Sequence, residues 1–97
     1  MDTRRRRILF RATHRGTFEN DIIIGGYARR HLETMSEAEL DALEALMEHE
    51  DSDLADWLTG RVAVPGGADT PMFRALRAFA LSAESRAPEN GRSGDPA

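Results

Sequence analysis

The chain has 97 residues, a formal net charge of −4, 40% apolar and 31% charged residues, and no cysteine. One domain with one modest core is the expectation at this length, which excludes a large enzyme with separate cofactor and substrate domains; without cysteine, a disulfide scaffold and thiolate-bound zinc or iron–sulfur are excluded too. Residues 1–31 carry eight arginines against three acids, residues 32–60 ten acids and no Arg or Lys, and residues 61–97 five arginines against four acids, so every Lys-or-Arg position is Arg.

Residues 4–15 predict a short helix, with Ile8, Leu9 and Ala12 as an apolar stripe between arginines. Gly16 is placed to stop it as a C′ residue in the left-handed conformation. Residues 17–33 read two ways. Phe18, Ile22 and Ile23 have helical spacing, with Tyr27 four residues past Ile23, yet Ile22-Ile23-Ile24-Gly25-Gly26-Tyr27 also reads as strand and turn. Two glycines inside a helix cost roughly 1 kcal/mol each relative to Ala, and propensity alone does not decide. Residues 36–48 give the strongest helix signal. Ser36 and Glu39 make a capping box, Met35 can staple against Leu40, and Leu40, Leu43, Leu46 and Met47 share a face opposite Glu37, Asp41, Glu44 and Glu48.

A short helix follows over 53–59, with Ser52 as N-cap, Leu54, Trp57 and Leu58 on one face, and Gly60 at its end. Residues 62–69 form a Pro/Gly loop. Thr70 then caps a last helix with Pro71 at its first position and a buried stripe of Met72, Phe73, Leu76, Phe79 and Ala80. After about Ala83 no apolar residue is larger than Ala, so a disordered tail is expected over 84–97. The expected fold is all-α: four or five short helices in a small bundle, forming a single domain over residues 1–83.

Catalytic groups do not assemble. His14, His31 and His49 show no metal spacing on one helix face, and the acidic run Glu48-His49-Glu50-Asp51-Ser52-Asp53 lacks the glycine and terminal glutamate of an EF-hand. It reads more simply as a solvated helix connection. Ser36 and Ser52 stand where caps belong, Gly25-Gly26 and Gly66-Gly67 lack the Lys-Ser/Thr of a phosphate loop, and Trp57 and Phe73 are most simply core. The chain is therefore not expected to be an enzyme, nor to bind a metal.

At His14-Arg15-Gly16-Thr17-Phe18-Glu19-Asn20-Asp21, an Arg, a Gly and two acids stand at the expected junction of two helices. Gly16 would let a second backbone approach closely, and Arg15 offers a bidentate fork. Two readings stay open: a surface that meets a partner, or capping alone, with Gly16 ending one helix and Glu19 favouring the start of the next.

The stretch Arg15-Gly16-Thr17-Phe18-Glu19, with Asp21 two further on, resembles the R-G-x-x-E signature of the succinate dehydrogenase flavinylation factors. The segment Leu46 to Leu58 is similar to the same family's acidic D-x-D-L-x-x-W-L stretch, read here as Asp51-Ser52-Asp53-Leu54-Ala55-Asp56-Trp57-Leu58. Order and separation also match, over roughly residues 5–80. The chain departs from the family pattern at His14, often Arg, at Thr17, often Met, and at Gly25-Gly26. The resemblance implies a five-helix protein without catalytic activity. It would bind the flavoprotein subunit of succinate dehydrogenase, or of fumarate reductase, and promote covalent attachment of FAD to a histidine of that subunit. It implies that Arg15, Gly16, Glu19 and Asp21, with His14 beside them, face the partner. It also implies that residues 17–33 are helix. FAD would belong to the partner, with no cofactor held stably by this chain.

The competing reading is a small Arg-rich helical nucleic-acid-binding or regulatory module with Arg4-Arg5-Arg6-Arg7 on phosphates. The overall acidity opposes it, and arginines pairing with the acidic middle of the chain is the simpler account. No apolar run approaches the ~20 residues of a membrane span, and no 7–15-residue apolar stretch follows the arginines as in a signal peptide. A soluble cytoplasmic protein without membrane contact, monomeric when free, is expected.

Overall fold

A computed structural model describes residues 1–82, so the tail expected over 84–97 lies outside the described residues. Five α-helices follow in order: α1 Thr3–Thr13, α2 Phe18–His31, α3 Glu37–Leu46, α4 Asp51–Leu58 and α5 Pro71–Ala80. Single 3₁₀ turns at Leu32–Thr34 and Gly66–Ala68 join them, and there is no strand among the described residues.

Helix starts follow local chemistry. The Asp2 side chain accepts from the Arg5 backbone N–H at 2.8 Å and caps α1. Both bonds of the Ser36–Glu39 capping box form, at 3.1 and 2.8 Å. Thr70 caps α5 by accepting from the Phe73 N–H at 3.1 Å, with Pro71 at the first position where its missing N–H costs nothing.

Boundaries shift by one or two residues from the sequence expectation, and two of the shifts have a visible cause. α1 stops at Thr13 rather than running to residue 15: His14 leaves helical geometry at φ −129°, and side chains meet the Phe10 carbonyl, the Thr13 hydroxyl at 3.2 Å and His14 Nδ1 at 2.9 Å. Gly16 does adopt a positive φ of +90°, but in the turn beyond the cap. α4 begins at Asp51 with Glu50 at the N-cap, so Ser52 lies inside the first turn and caps nothing. The Asp51 carboxylate is anchored elsewhere, as described below, and that anchor sets where the helix starts. Gly60 ends α4 at φ +82° as expected.

α2 is the central element, touching α1, α4 and α5. Its two glycines explain how. A Cβ on Gly25 would lie 2.9 Å from Thr13 Cγ2 and 3.3 Å from the Ala12 carbonyl oxygen; one on Gly26 would lie 3.2 Å from the Phe79 ring. Missing side chains let α1 and α5 close onto α2, and the burial gained outweighs the propensity lost. Ile8, Ile24, Leu40, Leu43, Leu58 and Leu76 are fully buried around them. Each such side chain contributes about 1.5–3 kcal/mol on leaving water.

The basic N-terminal third is spent on the acidic middle. Arg4 reaches Glu37, Asp41 and Glu44 on α3, and Arg11 reaches Glu48 at 3.2 Å. Arg5 donates to the carbonyls of Leu32 and Met35. The Arg4 guanidinium is held protonated above its ordinary range, first by Glu44 and then by Asp41. No helix among the described residues is long and apolar enough to cross a membrane.

Candidate functional site

The turn between α1 and α2 carries residues 14–17, and its geometry depends on Gly16. At φ +90° a side chain would be strained whatever the space, and the direction its Cβ would take is open, with no atom within 4 Å. The turn therefore presents bare backbone outward. On one side of it, His14 stacks on Phe10, rings 4.0 Å apart and 16° from parallel, with Nδ1 2.9 Å from the Phe10 carbonyl oxygen.

On the other side α2 begins with Phe18, which is 81% exposed, and Ile22 one turn on is 38% exposed. Phe10 is 60% exposed. These three apolar side chains flank the turn in sequence and gain nothing from the core. Sequence reasoning used Phe18 and Ile22 only as helix markers. The available signal was that Ile23, Ile24 and Ala28 already supply a core face for α2. Glu19 stands beside Phe18 and meets Arg61 at 3.4 Å, while Arg61 also pairs with Asp56 of α4 at 3.1 Å.

Arg15 and Asp21 are turned inward. The Asp21 carboxylate accepts from the Arg15 backbone N–H at 2.8 Å and so caps the turn. The Arg15 side chain, 10% exposed, donates to the Asp51 carboxylate and to the carbonyls of Met47 at 3.0 Å and His49 at 3.1 Å. Its fork is thus occupied within the protein and ties the turn to the start of α4. Asp21 and Arg15 hold the turn, and Gly16 and Phe18 are exposed on it, with Glu19 half-buried beside them.

Asn20, fully buried, was not singled out from the sequence; its Nδ2 donates to the backbone oxygen of Asp51 at 2.9 Å and to Oδ1 at 3.0 Å. The two stretches Arg15 to Asp21 and Asp51 to Leu58, 36 residues apart at Arg15 and Asp51, therefore meet at one carboxylate. Later in the second stretch, Trp57 packs against the core with its ring edge-on to His49 at 5.3 Å, and Leu54 and Leu58 are buried. Among the described residues no group of three or more His, Asp or Glu side chains is placed to hold a metal ion.

Comparison with known proteins matches residues 6–80 to a family model described as the flavinator of succinate dehydrogenase. The chain is 49% identical over 73 residues to the FAD assembly factor SdhE of Acetobacter pasteurianus, covering 75% of this chain and 67% of that protein. It is 39% identical over 67 residues to the mitochondrial succinate dehydrogenase assembly factor 2 of Caenorhabditis elegans, covering 67% of this chain and 56% of the relative. It is 36% identical over 59 residues to the protein of that same name in Candida glabrata, covering 61% and 39%. The chain thus spans about two thirds of the first of these relatives and less of the other two. With the match running from within α1 to the end of α5, the chain belongs to the family of succinate dehydrogenase flavinators.

Proposed function

We propose that this protein binds the flavoprotein subunit of succinate dehydrogenase and promotes covalent attachment of FAD to it, using the face made by Gly16, Phe18, Glu19 and Ile22. The observation that carries the reading is Phe18, 81% exposed at the first position of α2 and within the R-G-x-x-E stretch. A buried aromatic anchor ringed by polar groups is the usual energetic centre of a protein interface. Phe18 beside Glu19 and an open glycine turn supplies that combination.

The protein acts as an assembly factor and not as a catalyst. Flavin and the client's own histidine supply the reacting atoms; the helper needs only to favour the client conformer in which they meet. Binding that conformer more tightly shifts its population by the differential affinity and requires a complementary surface with no active site. FAD belongs to the client, and this chain carries none stably. The free protein is a monomer, and a fumarate reductase flavoprotein is a second client to test.

Arg15 and Asp21 contribute by holding the turn, and His14 by backing Phe10. Nothing favours the nucleic-acid alternative: of the arginines it would set on phosphates, Arg4 is engaged with Glu37, Asp41 and Glu44, Arg5 with Asp2 and two carbonyls, and Arg6 with the Met1 carbonyl.

The test is in-gel flavin fluorescence of the denatured flavoprotein subunit from a strain lacking this gene. Loss of the band is expected, with recovery on returning the wild-type gene and no recovery with Phe18→Ser. An unchanged band in the deletion strain removes the proposal for that subunit. Gly16→Ala and Gly16→Leu impose the same backbone strain and differ in what they project outward, so a larger loss with Leu is expected if the client approaches there.

A further inference from the structure

Asn20 lies between Glu19 and Asp21 on the first turn of α2 and has no exposed surface. Both hydrogen bonds of its amide nitrogen go to one residue, Asp51: to the backbone oxygen at 2.9 Å and to Oδ1 at 3.0 Å. Its own Oδ1 meets no donor among the described residues. A flipped amide would set that oxygen against the Asp51 carboxylate, so Asp51 dictates the orientation and the orphaned oxygen is its consequence. The same Oδ1 of Asp51 accepts from Arg15 Nε. One carboxylate oxygen therefore holds one donor from just before Gly16 and another from just after Glu19. The two donors bracket the exposed stretch.

We propose that Asn20 is a positioning residue for the Gly16–Glu19 surface: acting through Asp51, it clamps the first turn of α2 to the start of α4 and fixes how Gly16, Phe18 and Glu19 are displayed. What that surface binds rests on the function proposed above; the clamp does not. A leucine of similar size would leave no orphaned acceptor. The amide is retained for its donors, which neither Leu nor Ala supplies.

Two variants of the full chain test this, each checked first for a cooperative melt. Asn20→Leu keeps the volume and removes both donors. The amide resonances of Gly16, Phe18 and Glu19 are expected to move in its nitrogen–proton correlation spectrum while those of α5 stay. Its Kd for the isolated flavoprotein subunit is expected to rise ten-fold or more.

Asn20→Asp places a second carboxylate against Asp51. Two carboxylates in one site share a proton as the pH falls, and the protonated acid again offers a donor at the position of Nδ2. Its spectrum and affinity are therefore expected to depart from wild type at pH 7.5 and to return toward it at pH 5. Asp51 contacts Asn20 directly and Arg15 shares its carboxylate; Glu19, paired with Arg61, and Asp21 flank Asn20 on α2, and His49, Glu50 and Asp53 flank Asp51 in sequence. Wild type measured at both pH values controls for them.

Unmoved Gly16–Glu19 resonances in Asn20→Leu, or an Asn20→Asp protein whose difference from wild type is the same at both pH values, would overturn the clamp. Should Asn20→Leu fail to fold, the pH comparison of Asn20→Asp decides. A wild-type protein that fails to bind the subunit would sink the functional reading while the resonances still judged the clamp.

Discussion

The start and the middle of α2 reverse the usual assignment of side chains to environments. At its start, Phe18 and Ile22 stand in water; one to two turns later, Gly25 and Gly26 are buried. Along one helix, large apolar groups are outside and hydrogen atoms inside. Burial at the middle of the helix is limited by how close α1 and α5 come: a Cβ on Gly25 or Gly26 would press on Thr13, the Ala12 carbonyl or the Phe79 ring. Exposure in the first half is not required by packing, because the core face of α2 is already filled by Ile23, Ile24 and Ala28. The buried glycines answer to the fold, and the fold gives no reason for the exposure of Phe18 and Ile22.

That contrast can be broken most strongly from the inside. Ile24→Ala removes a fully buried side chain and is expected to cost about 2–5 kcal/mol, read as a fall in the denaturation midpoint at constant m value. Gly25→Val comes next: its Cβ would meet Thr13 Cγ2 at 2.9 Å and the Ala12 backbone oxygen at 3.3 Å. A loss of about 1–3 kcal/mol is expected from overpacking, and a melting temperature at or above wild type would show that α1 can move away freely.

Phe18→Ser sharpens the comparison from the other end. With 81% of Phe18 exposed, the free protein is expected to melt within about 0.5 kcal/mol of wild type, while flavinylation of the client falls. A large loss of stability would instead make Phe18 part of the fold.

The smallest effect concerns the helix that covers Gly26. The Asp69 carboxyl lies below its ordinary value of 3.8, chiefly because Arg74 in α5 hydrogen-bonds it. A depressed folded-state value contributes stability above the ordinary value, and that stability is lost as pH falls through the folded one. Asp69→Asn is therefore expected to melt slightly below wild type at pH 7, with the gap closing toward pH 2. A gap that widens on acidification would contradict the pairing.

Much of the fold was legible in the sequence because its signals act within one turn. Ser36 with Glu39, Thr70 with Pro71, and Gly60 after α4 each concern groups no more than three residues apart, and each does what its chemistry predicts. The Leu40, Leu43, Leu46 stripe is legible for the same reason. Ser52 misleads because a local cap competed with a distant contact: Asp51, fixed by Arg15 and Asn20, starts the helix earlier.

Less of the site was legible. Residues 15–21 could be singled out as a helix junction, but which of them face outward could not. A fork at Arg15 reads the same on paper whether its acceptors are a partner's or, as here, Asp51, Met47 and His49 of its own chain. An isoleucine-glycine run reads as strand or helix until the neighbours that need the space are known.

By itself, then, the chain's sequence determined an all-α domain, its caps and stops, the pairing of a basic start with an acidic middle, and a resemblance carried by two short stretches. The tertiary structure alone decided that those two stretches meet at Asp51, that Gly25 and Gly26 are contact points, and that Phe18 faces water. The physical reason is range. Capping and periodicity are set by atoms a few residues apart, whereas close approach, burial of a guanidinium and exposure of a phenyl ring depend on which distant segment arrives opposite.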